Sequence, residues 1–272
     1  MLIEIPTNVS LEVRQLGEKA AEPLLMAGPT GAPWVVSEPL AKAFAQRYRV
    51  ISFDYRGVGG SQRGEGPISV ASLAEDAIAV LDALEVDRAH VLGWSLGSAI
   101  GQEMAIAHPD RVAGLVLWGT WAATDAHQRA VLTTLRHPWA SGDLPAALAG
   151  LSLVFSPEYV NSPGFAAGLG PLLPAFPHTE AGMRAVVEQW DADLAHDART
   201  RLGAISAPTL VVAGEQDMVT SPRLGQAVAD AIPGARMELY TGPGASHAVG
   251  LERAAEFVPL VMGFLGRCRL DA

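Results

Sequence analysis

Short apolar runs alternate along the chain with amphipathic stretches, the pattern of a parallel sheet covered by helices. Residues 11–16 alternate apolar and polar positions, as an early antiparallel strand with one wet face does. Residues 23–28 read as a buried strand running into a glycine–proline loop, and Arg49–Phe53 as the next strand. Ser72-Leu73-Ala74-Glu75 has the form of a capping box, predicting a helix from there to about Leu84. Further strands are predicted over Ala89–Trp94, Val112–Trp118, 208–214 and Arg236–Tyr240, and further helices over Leu96–Ala107, 221–232 and 251–265.

The rhythm breaks between Gly119 and Leu202. That stretch is rich in Ala, Leu, Pro and Trp, has helical periodicity and shows no clear strand. It is too long for a loop, so it is expected to be a helical cap over 119–202, inserted into a core built from 1–118 and 203–272. With 49% hydrophobic and 18% charged residues a substantial core is available, which sets disorder aside. The net charge of −10 repels phosphate backbones and anionic lipid heads, so nucleic acid and membrane partners are not expected. The single cysteine, Cys268, the lack of a signal-like start and the lack of a long apolar run together suit a cytoplasmic protein, as monomer or homodimer.

Gly93-Trp94-Ser95-Leu96-Gly97 matches Gly-x-Ser-x-Gly between a predicted strand and a predicted helix. In that setting the serine sits exposed on a sharp turn, and the flanking glycines permit the close backbone approach. A serine hydroxyl needs a base, and histidine is the usual one near neutral pH. Of the seven histidines, His247 lies in the glycine-bearing loop 242–247, after a strand and before the last helix, where catalytic groups are displayed. His108 reads as a cap or surface residue, His90 begins a strand, and His127, His137, His178 and His196 fall in the cap as solvated surface or substrate contacts. The base in turn needs a carboxylate. Glu215 and Asp217 both follow the strand ending at Gly214; Asp217 lies further past the strand end, where it can turn inward, and it fits the chain order Ser95, Asp217, His247.

Phe53-Asp54-Tyr55-Arg56-Gly57 with Gly59 and Ser61, Gly93 to Gly97, Gly214 to Asp217, and Gly244 to His247 together resemble the α/β-hydrolase superfamily over essentially the whole chain. The nearest pattern is that of bacterial esterases and lactonases of the 3-oxoadipate enol-lactonase kind, with a helical cap between the sixth and seventh sheet positions. The resemblance implies an α/β-hydrolase fold, a mostly parallel sheet flanked by helices, and a structural role for the 54–61 turn, so Asp54 and Arg56 receive no catalytic role. It also implies an oxyanion hole made by the N–H of Leu96 and one from the loop after the third strand. There many members carry His-Gly, but this chain has Met26-Ala27-Gly28-Pro29, making Gly28 the donor by position. Pro29 has no N–H, so a shift of one residue would remove that donor.

The expected chemistry is hydrolysis of an ester, lactone or thioester of a mid-sized, fairly apolar small molecule through an acyl-enzyme. Trp94 and Trp121 are the candidate substrate contacts, while Trp118 reads as core. No His-x-x-x-His pair, Cys/His cluster or phosphate-binding loop is present, so no cofactor and no metal are expected. Two alternatives stay open: cofactor-free lyase, cyclase, perhydrolase or carbon–carbon bond chemistry on the same elbow, and a non-catalytic small-molecule-binding protein.

Overall fold

The computed structural model describes residues 1–268 and 270; of the expected core segment 203–272, positions 269, 271 and 272 lie outside the described residues. The strands are β1 (Leu2–Ile5), β2 (Val9–Leu16), β3 (Pro23–Ala27), β4 (Arg49–Phe53), β5 (Ala89–Trp94), β6 (Val112–Trp118), β7 (Thr209–Gly214) and β8 (Arg236–Tyr240). The helices are α1 (Glu38–Phe44), α2 (Val70–Ala83), α3 (Leu96–Ala107), α4 (Ala126–Ser141), α5 (Leu144–Gly150), α6 (Pro157–Val160), α7 (Pro163–Leu169), α8 (Glu180–Ala195), α9 (Pro222–Ala231), α10 (Val249–Glu252) and α11 (Ala254–Leu265). The eight strands form one sheet in the order β1-β2-β4-β3-β5-β6-β7-β8, antiparallel at β1–β2 and β2–β4 and parallel elsewhere. The chain has the α/β-hydrolase fold, with apolar layers on both faces of the sheet. The burial follows from sequence: β4, β5, β6 and β7 are buried at every position, which only a strand covered on both faces requires.

Three expectations change. Strand β1 was not predicted, because four residues of alternation carry too little signal until β2 is there to pair with. Helix α2 starts earlier than Ser72: Ser69 is the N-cap, its hydroxyl accepting from the Ser72 N–H at 3.0 Å while the Ser72 hydroxyl accepts from the Ser69 N–H at 2.9 Å. Glu75 is thereby freed to accept from His108 at 2.8 Å. The last predicted helix is two, broken at Arg253.

The 54–61 turn is anchored from below. Arg56 makes a two-pronged pair with Asp76 of α2, both contacts 2.6 Å and both side chains buried. Removing Arg56 strands the Asp76 charge in the core, so Arg56→Ala is expected to lower the unfolding free energy by about 3–5 kcal/mol in urea titration. A loss below about 1 kcal/mol would show the pair to be dispensable.

Between β6 and β7 the chain forms α4 to α8, whose Leu132, Leu135, Trp139, Phe176, Val186 and Trp190 pack as a third apolar cluster with Val58 and Val219 of the core. Among the described residues no helix is long and apolar enough to cross a membrane.

Candidate active site

The β5–α3 turn holds Ser95 at φ 56° and ψ −120°, outside the regions L-residues favour. Such a conformation costs about 1–3 kcal/mol and persists only where the surroundings impose it. They do so here through close packing. A Cβ on Gly93 would lie 2.1 Å from the Gly97 carbonyl oxygen, and one on Gly97 would lie 2.1 Å from that of Ala27. The Ser95 N–H donates to the Trp118 carbonyl at 2.9 Å, and the Ser95 carbonyl accepts from the Ser98 hydroxyl at 2.7 Å. The serine is therefore pinned by β6 on one side and by its own helix on the other.

His247 sits on the loop after β8, whose turns use positive φ at Gly242 and Gly244. Its Nδ1 lies 2.8 Å from Asp217 Oδ2. Asp217 Oδ1 accepts from the N–H groups of Val219 at 2.8 Å and Thr220 at 2.7 Å, so the carboxylate is fixed by its own turn. Glu215, the other carboxylate of this turn, accepts from the Gly242 N–H at 3.0 Å at the surface. Two neighbours were not foreseen. The Thr220 hydroxyl donates to Asp217 Oδ2 at 2.8 Å and sits 3.0 Å from His247 Nδ1. Gly119 leaves room for the imidazole: at φ +61°, a Cβ there would lie 2.7 Å from His247 Cε1. A threonine three residues after the acid and a glycine directly after β6 were the only available signals, and neither has meaning before the loops are juxtaposed.

Ser95 and His247 wall the same cavity, of about 650 Å³, within the range of small-molecule sites. Its lining is mostly apolar and comes largely from the α4–α8 segment, including Leu135, Phe155, Tyr159, Phe165 and Trp190. Trp94 lines it, stacked on Trp118 at 4.4 Å between ring centroids and 6.1 Å from the His247 ring. Trp121 is a correction: it does not line the cavity but is 1% exposed in the core beneath α3, edge-on to His196 at 6.0 Å. The Trp121 carbonyl accepts from the Gln102 amide of α3 at 3.0 Å, which holds the backbone there against the core. His196 is likewise no solvated or substrate-contacting residue; it meets Gln102 at 3.1 Å, and burial pushes its pKa down to about 4, leaving it neutral.

Next to Ser95, the N–H of Leu96 is the first of α3 and has no acceptor within the helix, and no acceptor among the described residues takes it. The same holds for the Gly28 N–H, while the Gly28 carbonyl accepts from the Gly97 N–H at 3.0 Å and the Tyr55 hydroxyl at 2.8 Å. Pro29, next along, lines the cavity. Asp54 accepts from the Trp34 N–H at 2.6 Å, and burial raises its pKa to about 7; it lies in the turn, not the cavity. Among the described residues no three His, Cys, Asp or Glu side chains gather as a metal site.

This chain is similar to known proteins. A family model described as the alpha/beta hydrolase fold matches residues 25–149, and one described as serine aminopeptidase, S33, matches 177–254. A protein of Azorhizobium caulinodans named as a carbamate hydrolase, RutD, is 32% identical over 251 residues, covering 91% of this chain and 92% of that one. The 3-oxoadipate enol-lactonase 2 of Acinetobacter baylyi is 28% identical, covering 92% and 91%. The crystal structure of the enol-lactonase from Burkholderia xenovorans LB400 superposes with a TM-score of 0.87 at 26% identity, covering 98% of this chain and all of that one.

Proposed function

The chain belongs to the α/β-hydrolase family and is an enzyme of the hydrolase type, and from that premise we propose that it is a serine hydrolase cleaving an uncharged, mid-sized apolar ester, lactone or thioester. Ser95 Oγ attacks the carbonyl as His247 Nε2 takes its proton, and Asp217 holds the imidazole in the tautomer with Nδ1 protonated. The N–H groups of Leu96 and Gly28 receive the oxyanion. His247 returns the proton to the departing alcohol or thiol, leaving an acyl-Ser95. Water, deprotonated by the same imidazole, then releases the acid. The α4–α8 segment acts as the cap, supplying the apolar wall and excluding bulk water.

The observation that carries this reading is the hydrogen-bonded Asp217–His247 pair facing a strained serine across one cavity. The preference for an uncharged substrate rests on the lining. Glu158 and Glu252 both border the cavity, and Arg253 is the one arginine or lysine among the lining residues. Its guanidinium is occupied by Glu256, the Thr241 carbonyl and the Tyr240 ring. A carboxylate on the acyl group would be desolvated there without a free cation to meet it. On a panel of length-matched esters, those ending in a carboxylate are expected to show kcat/KM at least about tenfold below neutral ones, a difference of ~1.4 kcal/mol. Product analysis should recover only an acid and its alcohol or thiol. Equal rates on the charged members would refute the substrate preference, and a product other than those two would refute hydrolysis.

A further inference from the structure

The cap does more than cover the cavity, because α8 is bonded into the loop that follows β3. The Thr30 hydroxyl donates to Asp193 Oδ2 at 2.5 Å, and the Gly31 N–H donates to Gln189 Oε1 at 2.8 Å. Gln189 Nε2 donates in turn to the Arg56 carbonyl at 3.4 Å, tying in the 54–61 turn. The backbones are close enough to demand glycine. A Cβ on Gly31, at φ +67°, would lie 2.7 Å from Val186, and one on Gly57, at φ +77°, would lie 2.3 Å from the Ala185 methyl. Ala185, Val186, Gln189 and Asp193 fall on one face of α8, at helical spacing, and all four are buried.

The loop they grip carries the donor for the oxyanion. Pro29 has no N–H, so the donors it leaves unengaged are those of Gly28 and Thr30 on either side, among the described residues. The core side of the loop is held at the Gly28 carbonyl by Gly97 and Tyr55. Among the described residues the core makes no hydrogen bond to Thr30 or Gly31 and next engages the loop at Trp34, through Asp54; Thr30 and Gly31 themselves are bonded by α8 alone.

We propose that Asp193 and Gln189 are positioning residues, which set the oxyanion loop from the cap so that the catalytic site is complete only with α8 in place. This rests on the serine-hydrolase reading above. Mutational loss of an oxyanion donor costs about a hundred- to thousandfold in turnover, and displacement of a catalytic group by about 1 Å can cost a hundredfold. Burial keeps the Asp193 carboxyl protonated up to about pH 8, so its contact with Thr30 brings no full negative charge close to the developing oxyanion. An asparagine there offers the same neutral acceptor.

The test uses the full chain with a neutral p-nitrophenyl ester and a fluorophosphonate that labels active-site serines, on wild type, Asp193→Ala, Gln189→Ala and Asp193→Asn, with thermal melts in parallel. Both alanine variants are expected to lose roughly ten- to a hundredfold in kcat with KM held within about twofold, and to label at Ser95 correspondingly more slowly. Asp193→Asn should recover to within about threefold of wild type. Wild-type kcat in either folded alanine variant would overturn the proposal, as would a loss expressed in KM. If Asp193→Ala fails to fold, Gln189→Ala, which leaves the Asp193–Thr30 bond intact, still decides. A wild type that neither labels at Ser95 nor turns over the ester would overturn the hydrolase reading itself. Labelling wild type with unaffected variants would overturn the positioning role alone.

Discussion

Ser95→Ala is expected to lower ester turnover by about 10⁵- to 10⁶-fold and to abolish fluorophosphonate labelling, while leaving the melting temperature close to wild type. The magnitude follows from what the hydroxyl supplies. Without it no acyl-enzyme forms, and the remaining groups can only orient a water against the bound carbonyl. The near-neutral stability follows from the backbone. Alanine has the same Cβ as serine, so the strain at φ 56° is retained and the two carbonyl contacts that enforce it are untouched. Ser95→Gly sharpens the point: it relieves the strain and is expected to be more stable by about 1–2 kcal/mol while equally inactive. A turn strained for presentation of a nucleophile gives that pairing of outcomes, whereas a serine held there for folding alone would not. Substantial residual hydrolysis by Ser95→Ala would remove the acyl-enzyme from the mechanism.

Asp217→Asn carries the second large effect, an expected drop in kcat of about 10³- to 10⁴-fold, against a change within about twofold for Glu215→Gln. Asp217 accepts from four donors: two backbone N–H groups, the Thr220 hydroxyl and the His247 ring. An asparagine amide can accept at one oxygen only and presents N–H groups at the other position. With the oxygen kept by the two backbone N–H groups, the amide nitrogen faces His247 Nδ1 and favours the tautomer whose proton sits on Nε2. That tautomer cannot take a proton from Ser95. Among the described residues Glu215 accepts only from the Gly242 N–H, at the protein surface, so neutralising it is expected to leave the imidazole unaffected. The comparison of kcat between the two variants on one ester distinguishes the carboxylates. A large loss in Glu215→Gln with little in Asp217→Asn would reverse the assignment.

How much of this was legible in the chain depends on the range over which each signal acts. The strands β4 to β8 and helices α3 and α9 are readable because their periodicity is local and long enough to count. The elbow is readable for the same reason, since Gly93, Ser95 and Gly97 fall within five residues and their roles are dictated by one turn. Asp217 and His247 could be singled out because each lies in the loop that follows a strand of a parallel sheet, and such loops share an edge of the sheet. The amino-acid sequence by itself thus determined the layered sheet, the edge on which the polar groups gather and the strand-to-helix turn that carries Ser95.

Everything that depends on which surfaces meet was decided only in three dimensions. Trp94 beside Ser95 and Trp121 in the inserted segment read alike in sequence as candidate substrate contacts, yet Trp94 lines the cavity and Trp121 is core, because the chain after β6 is bonded to Gln102 of α3. Thr220 and Gly119 gain meaning only when three separate loops converge on one imidazole. Asp193, 163 residues beyond Thr30, reads in the chain as one more acidic position in an amphipathic helix. Folding buries it, removes the water that would have ionised it, and leaves Thr30 as its hydrogen-bonding partner. Local periodicity determines elements; desolvation and close approach, which no local window contains, determine what those elements do to one another.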